Sequence, residues 1–163
     1  MAILGSLIKT AIELKDSFTT EESPIASQKN VLKKLLEESK ETAFGKYYAF
    51  SELLETENLQ KSFAASIPYH DYHKMKEDWW CQTQKGKADI TWSGKPQYFA
   101  LSSGTTGKSS KRIPVTEAMI EAIRETGIKQ VGALSNFNLP SEFFEKEIMM
   151  LGSSTNLNKR DEF

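Results

Sequence analysis

One cysteine, two histidines, five prolines and no excess charge of either sign characterise this 163-residue sequence. Cys81, standing alone, forms neither an internal disulfide nor a cysteine-based zinc site, and this fits a reducing, cytoplasmic setting. The 21 Lys plus Arg residues balance 22 Asp plus Glu, for a formal net charge of −1. A dedicated nucleic-acid binder usually carries a basic excess, so the balance argues against that class. Long hydrophobic runs are also missing. None approaches the roughly 18 residues that cross a bilayer, which argues against a membrane partner. Lys9, Glu13 and Lys15 interrupt the amino-terminal apolar stretch that a secretion signal needs. His70 and His73 flank Asp71, but no third or fourth ligand follows at zinc-site spacing, so no metal-binding residue is assigned. Cys81 has no cation within three residues, and nothing marks it as an activated nucleophile.

What is present begins with helices. Leu4, Leu7, Ile8, Ala11 and Ile12 recur at helical spacing and predict an apolar stripe over residues 2–15. A second helix is expected from near Ser27 to Gly45, with Val31, Leu32, Leu35, Leu36 and Ala43 inward and a charged outer face. Shorter helices follow, capped by Ser51, Thr56 and Asp71, with Tyr72, Met75 and Trp79 packing and Gly86 as terminator. Residues 92–96 are a turn signal. Tyr98-Phe99-Ala100-Leu101 predicts a strand buried on both faces. A second extended piece spans 112–115, and Thr116 caps a long helix. One more helical turn is expected over 142–146 and another buried strand over 148–151.

This pattern reads as an α/β fold: a helical amino-terminal region over 1–86, then the start of an α/β subdomain over 87–163. Together they make one partial domain. Two or three central strands are too few for a complete sheet covered by helices on both faces, so the chain reads as an amino-terminal fragment of a larger sheet domain.

The stretch that carries chemistry is Ser102-Ser103-Gly104-Thr105-Thr106-Gly107-Lys108-Ser109-Ser110-Lys111. It has two glycines and six hydroxyls, and its backbone N–H groups can line an anion-binding concavity. Between Ile90 and Thr116 lie four basic residues (Lys95, Lys108, Lys111 and Arg112) and no acidic one. The local excess favours a phosphate. Gly107-Lys108-Ser109 matches the end of the nucleoside-triphosphatase loop, but Ser102 replaces that motif's first glycine. That motif also opens directly into a helix, whereas Pro114 and an extended piece intervene here.

The segment resembles instead the phosphate loop of the adenylate-forming superfamily, with Ser102 to Gly107 as its signature and Lys111 downstream. The spacing to Lys111 and Ile113-Pro114 is similar to that of the auxin-responsive acyl acid-amido synthetases. Ala43-Phe44-Gly45, Ile67-Pro68-Tyr69-His70-Asp71-Tyr72, Trp79-Trp80 and Met150-Leu151-Gly152 carry the same resemblance along nearly the whole chain. The resemblance implies an ATP- and Mg²⁺-dependent ligase that activates a carboxylic acid as an acyl-adenylate and passes it to an amine or amino acid. It implies phosphate-binding roles for Ser102, Ser103, Gly104, Thr105, Thr106, Gly107 and Lys108, and a catalytic role for Lys111. It places the Mg²⁺ ligands outside this chain, which alone is expected to be inactive. An acyl-CoA ligase sharing the adenylation step and a non-catalytic helical interaction module remain as alternatives.

Overall fold

The structure, a computed structural model, describes residues 3–17, 22–102 and 111–147. Two compact units divide the chain. One comprises Met1–Glu21 and Ile120–Asp161, the other Glu22–Met119 with Glu162–Phe163.

The larger unit opens with helix α1, Pro24–Ser39. Ser23 caps it, its hydroxyl accepting from the Ala26 amide at 3.2 Å, and Pro24 occupies the first helical position. The expected single helix reaching Gly45 is corrected here: α1 ends at Ser39 and a new helix, α2 (Ala43–Tyr47), begins after Thr42. Thr42 is fully buried. Its hydroxyl donates to the Ser39 carbonyl at 2.6 Å and accepts from the Gly45 amide at 3.0 Å, so one side chain joins both helix ends. The Ala43 and Phe44 amides donate to the carbonyls of Asp89 and Ile90, both at 2.8 Å. Gly45 is thus not a helix terminator. A Cβ there would collide with the Ser39 carbonyl oxygen, an approach that only glycine permits.

Helix α3 (Phe50–Leu54) follows Ala49, which holds a left-handed backbone at φ 51°. Ser51 lies inside α3 rather than capping it. Helix α4 (Leu59–Ser66) is capped by Asn58, whose side chain accepts from the Lys61 amide. Thr56, expected as a cap, instead donates to the Leu53 carbonyl at 2.7 Å and closes α3. Leu36, Phe50 and Leu53 form the buried centre, with Leu32, Phe44 and Phe63 packed against it. Val31 and Leu35, expected inward, are about half exposed at 51% and 47%.

Asp71 caps helix α5 (Tyr72–Met75) as expected. The helical path continues through a π-helical segment, Lys76–Trp80, into α6 (Cys81–Gln84), and Gly86 beyond it takes φ +84°. The expected turn is present: the Asp89 amide donates to the Gly94 carbonyl, and the Gly94 amide donates back to the Asp89 carboxylate. Strands β1 (Tyr98–Leu101) and β2 (Arg112–Val115) pair antiparallel, with Tyr98 opposite Val115 and Leu101 opposite Arg112. Burial of β1 on both faces is not observed, since Tyr98 is 41% and Leu101 63% exposed. Among the described residues β1 has one neighbour, β2, and a two-stranded ribbon cannot cover its own faces. Helix α7 (Glu117–Gly132) starts after Thr116, whose hydroxyl accepts from the Met119 amide at 3.2 Å.

The smaller unit contains the amino-terminal helix, Ile3–Ser17, against a 3₁₀ turn at Ser141–Glu145. The Glu145 carboxylate accepts from the Gly5 amide at 2.8 Å, and Lys9 donates to the Leu139 carbonyl at 2.8 Å. A Cβ at Gly5 would collide with the Ser141 carbonyl oxygen. The predicted apolar stripe is only half covered: Ile8 is partly buried, while Leu4 and Leu7 stay exposed. The expected strand over 148–151 lies outside the described residues. Among the described residues no helix is long and apolar enough to cross a membrane.

Candidate functional site

Strands β1 and β2 are the two sides of one hairpin, and the ends of the Gly/Ser/Thr stretch meet at its mouth. The Ser102 amide donates to the Lys111 carbonyl at 3.0 Å, extending the ladder by one pair beyond Leu101 and Arg112. Ser102 and Lys111, the residues on either side of 103–110, are thus bonded to each other. Ser103, Gly104, Thr105, Thr106, Gly107 and Lys108 lie outside the described residues. Of the candidate site, Ser102 and Lys111 are described, and the hairpin brings them together.

The alternation of the ladder decides what the neighbouring backbone needs. In an antiparallel pair, hydrogen-bonded and non-hydrogen-bonded positions alternate. Because Ser102 bonds to Lys111, the next pair, Leu101 and Arg112, points its amides and carbonyls away from the partner strand. The Arg112 amide accordingly turns outward and requires an acceptor. Tyr72 supplies it, with its hydroxyl oxygen 3.0 Å from that amide. By the same alternation Pro114, opposite Phe99, sits where an amide would point outward, so its missing N–H costs the ladder no bond.

Tyr72 serves the site twice. The Lys111 ammonium lies over its ring, 5.1 Å from the centroid, within cation–π range. Among the described residues Lys111 forms no direct ion pair, although its charge is felt by the Asp71 carboxylate. Asp71, one residue before Tyr72, accepts from the Lys74 amide at 2.8 Å. That bond holds its carboxyl below the usual range, with help from the charges of His73 and Lys111 and against a smaller desolvation effect. Tyr72 also packs at 6.0 Å from the Trp80 ring and 5.7 Å from His73.

A sequence reading places Tyr72 in a core stripe and misses this role. Its partners lie about forty residues away, beyond any local pattern. The available signal was its place directly after a cap, where a side chain leans back over the helix start.

His70 belongs to a separate aromatic group. Its Nδ1 is 2.7 Å from the Pro68 carbonyl, which can only accept, so Nδ1 carries the proton. In the neutral ring, Nε2 then accepts from the Tyr48 hydroxyl at 3.1 Å. Phe44, Tyr47 and Tyr48 surround Trp79 with ring centroids 5.0, 5.4 and 6.4 Å away. Burial raises the Tyr48 phenol above its ordinary range, with Tyr47 and Asp78 adding to the effect. An open groove of about 560 Å³ runs along Tyr47, Tyr48, Glu52, Thr56, Ser62 and Ser66, and shares no lining residue with the hairpin mouth. Among the described residues no group of three His, Cys, Asp or Glu side chains could hold a metal ion.

Compared with known families, residues 15–162 match the model of the GH3 family N-terminal domain. No curated protein and no solved structure matches the chain significantly.

Proposed function

The chain belongs to the GH3 family, the auxin-responsive acyl acid-amido synthetases, and on that basis we propose that it is the amino-terminal part of an ATP-dependent ligase. This ligase activates a carboxylic acid as its acyl-adenylate and conjugates it to an amine or amino acid. The observation that carries the reading is the hairpin mouth. Ser102 and Lys111, the two ends of the signature loop, are bonded to each other, and Lys111 presents a cation over the Tyr72 ring with no described carboxylate in a direct ion pair with it.

That arrangement suits a triphosphate. Attack of a carboxylate oxygen on the α-phosphorus expels pyrophosphate, and charge grows on the equatorial and leaving oxygens. Preorganised donors and a fixed cation stabilise such charge because they need no reorganisation as it develops. Ser103, Thr105, Thr106 and Lys108 would contribute amides and side-chain donors, while Gly104 and Gly107 allow close approach of the backbone. Ser102 would act through its hydroxyl, since its amide is committed to Lys111. Lys111 is assigned as the catalytic cation. ATP, when bound, supplies the adenylyl group and the driving force. Mg²⁺ would accompany it, and no described residue is assigned as its ligand. The remaining strands of a larger sheet, and the choice of acceptor, belong to the rest of such an enzyme. A cytoplasmic setting accords with this chemistry.

Trapping tests the reading. The full-length gene product, given ATP, Mg²⁺ and a panel of carboxylic acids, is expected to yield a hydroxamate when hydroxylamine is added. Absence of hydroxamate with every acid would contradict it.

A further inference from the structure

We infer that Tyr72 is a positioning residue for the loop cation: its hydroxyl fixes the Arg112 amide while its ring carries the Lys111 ammonium, so one side chain sets both the backbone and the charge at the loop's exit. This rests on the reading of Lys111 as the phosphate-facing cation.

A long connection returning to β2 needs its exit register held, and Ser102 holds only one edge of that strand. The outward-facing Arg112 amide would otherwise have water as its partner and leave the strand edge free to shift. Tyr72 takes that amide from the other edge at 3.0 Å, so Lys111 and Arg112 are gripped from opposite sides at successive residues of the strand. A lysine has four rotatable bonds, and its ammonium ordinarily samples a wide volume. The ring beneath it at 5.1 Å narrows that volume without cancelling the charge, which an aspartate or glutamate at the same place would do.

Tyr72 is itself anchored. Asp71 caps its helix, and Trp80 and His73 pack against its ring at 6.0 and 5.7 Å. The helix start, the ring and the hairpin therefore lie in one compact unit. The Tyr72 side chain also makes two contributions that substitution can remove one at a time. Phenylalanine keeps the face and loses the acceptor, whereas leucine loses both.

The test combines NMR of the full chain with kinetics of the full-length gene product for Tyr72→Phe, Tyr72→Leu, Lys111→Ala and the Leu/Ala double variant. In wild type, the Lys111 ε-methylene protons are expected upfield from ring current. In Tyr72→Phe that shift persists, but the Arg112 amide exchanges roughly fivefold faster, the loss of one ordinary hydrogen bond. In Tyr72→Leu both signatures vanish, and the KM for ATP rises about two- to fivefold, the range of a cation–π contact at an exposed site. Lys111→Ala lowers kcat/KM for ATP on the order of a hundredfold. In the double variant, leucine at position 72 adds less to the alanine effect than it costs in the wild-type background, because the ring's contribution passes through Lys111 and only the Arg112 amide bond is left to lose. Full additivity in that cycle, or an unshifted Lys111 methylene in wild type, overturns the inference while leaving the loop reading intact. A silent Lys111→Ala overturns the loop reading, and the role of Tyr72 falls with it.

Discussion

The carbonyl oxygen of Ser39 occupies the space where Gly45 would otherwise carry a Cβ. The close approach follows from Thr42, which lies between them and bonds to both. Gly45→Ala would force the end of α1 away from α2 and disturb the bonds from α2 to the carbonyls of Asp89 and Ile90. A stability loss of about 2–3 kcal/mol is expected, in line with overpacked cores. Gly127, inside α7, provides the contrast, since a Cβ added there would meet nothing within 4 Å. Gly127→Ala should be neutral or gain about 0.4–1 kcal/mol. Chemical denaturation of the two variants measures the difference.

Thr42 tests the same junction from the other side. Thr42→Ser keeps the hydroxyl and should behave close to wild type. Thr42→Val keeps the shape but loses the bonds to Ser39 and Gly45, and about 1–2 kcal/mol of stability should go with them. Equal melting temperatures for the serine and valine variants would contradict the cap.

Ala49 holds φ 51° just before α3, a conformation that costs an L-residue roughly 1–2 kcal/mol and glycine little. Ala49→Gly relieves that strain but gives the unfolded chain more freedom, so a net gain below about 1 kcal/mol is expected. Unfolding midpoints in urea would show it, and a clear loss would mean the backbone there is unstrained.

Asp71 makes stability depend on pH in a definite direction. Its folded carboxyl is held below the ordinary range, first by the Lys74 amide and then by nearby positive charge. Such a group contributes stability that is present above its unfolded pKa and is lost as pH falls through its folded one. The melting-temperature gap between wild type and Asp71→Asn should therefore be largest near neutrality and shrink below about pH 4, the unfolded carboxylate range. A gap that stays constant to pH 3 would rule out the charged cap.

Local chemistry was legible in the sequence where one short segment decides it. Asp71 and Thr116 read as helix caps, and both cap. The two extended pieces at 98–101 and 112–115 read as such and are strands. What failed was whatever depends on distant partners. Thr42 looked like one polar residue in a continuous charged helix because its buried surroundings come from the 89–90 loop. The β1 run read as doubly buried because apolar composition does not record how many layers lie over a strand. The candidate loop stands out in the sequence as a motif, but the contacts of Tyr72 with Lys111 and Arg112 do not: an aromatic at helical spacing looks the same whether it packs in a core or lies under a lysine.

Pyrophosphate exchange reads the adenylation step itself. The full-length gene product is incubated with ATP, Mg²⁺, labelled pyrophosphate and each of a panel of carboxylic acids, beside Lys111→Ala and Thr105→Ala. Wild type is expected to incorporate label into ATP only when an acid is present, and Lys111→Ala to lose that exchange by on the order of a hundredfold. Exchange that survives both substitutions unchanged, or fails with every acid, would contradict adenylation at this loop.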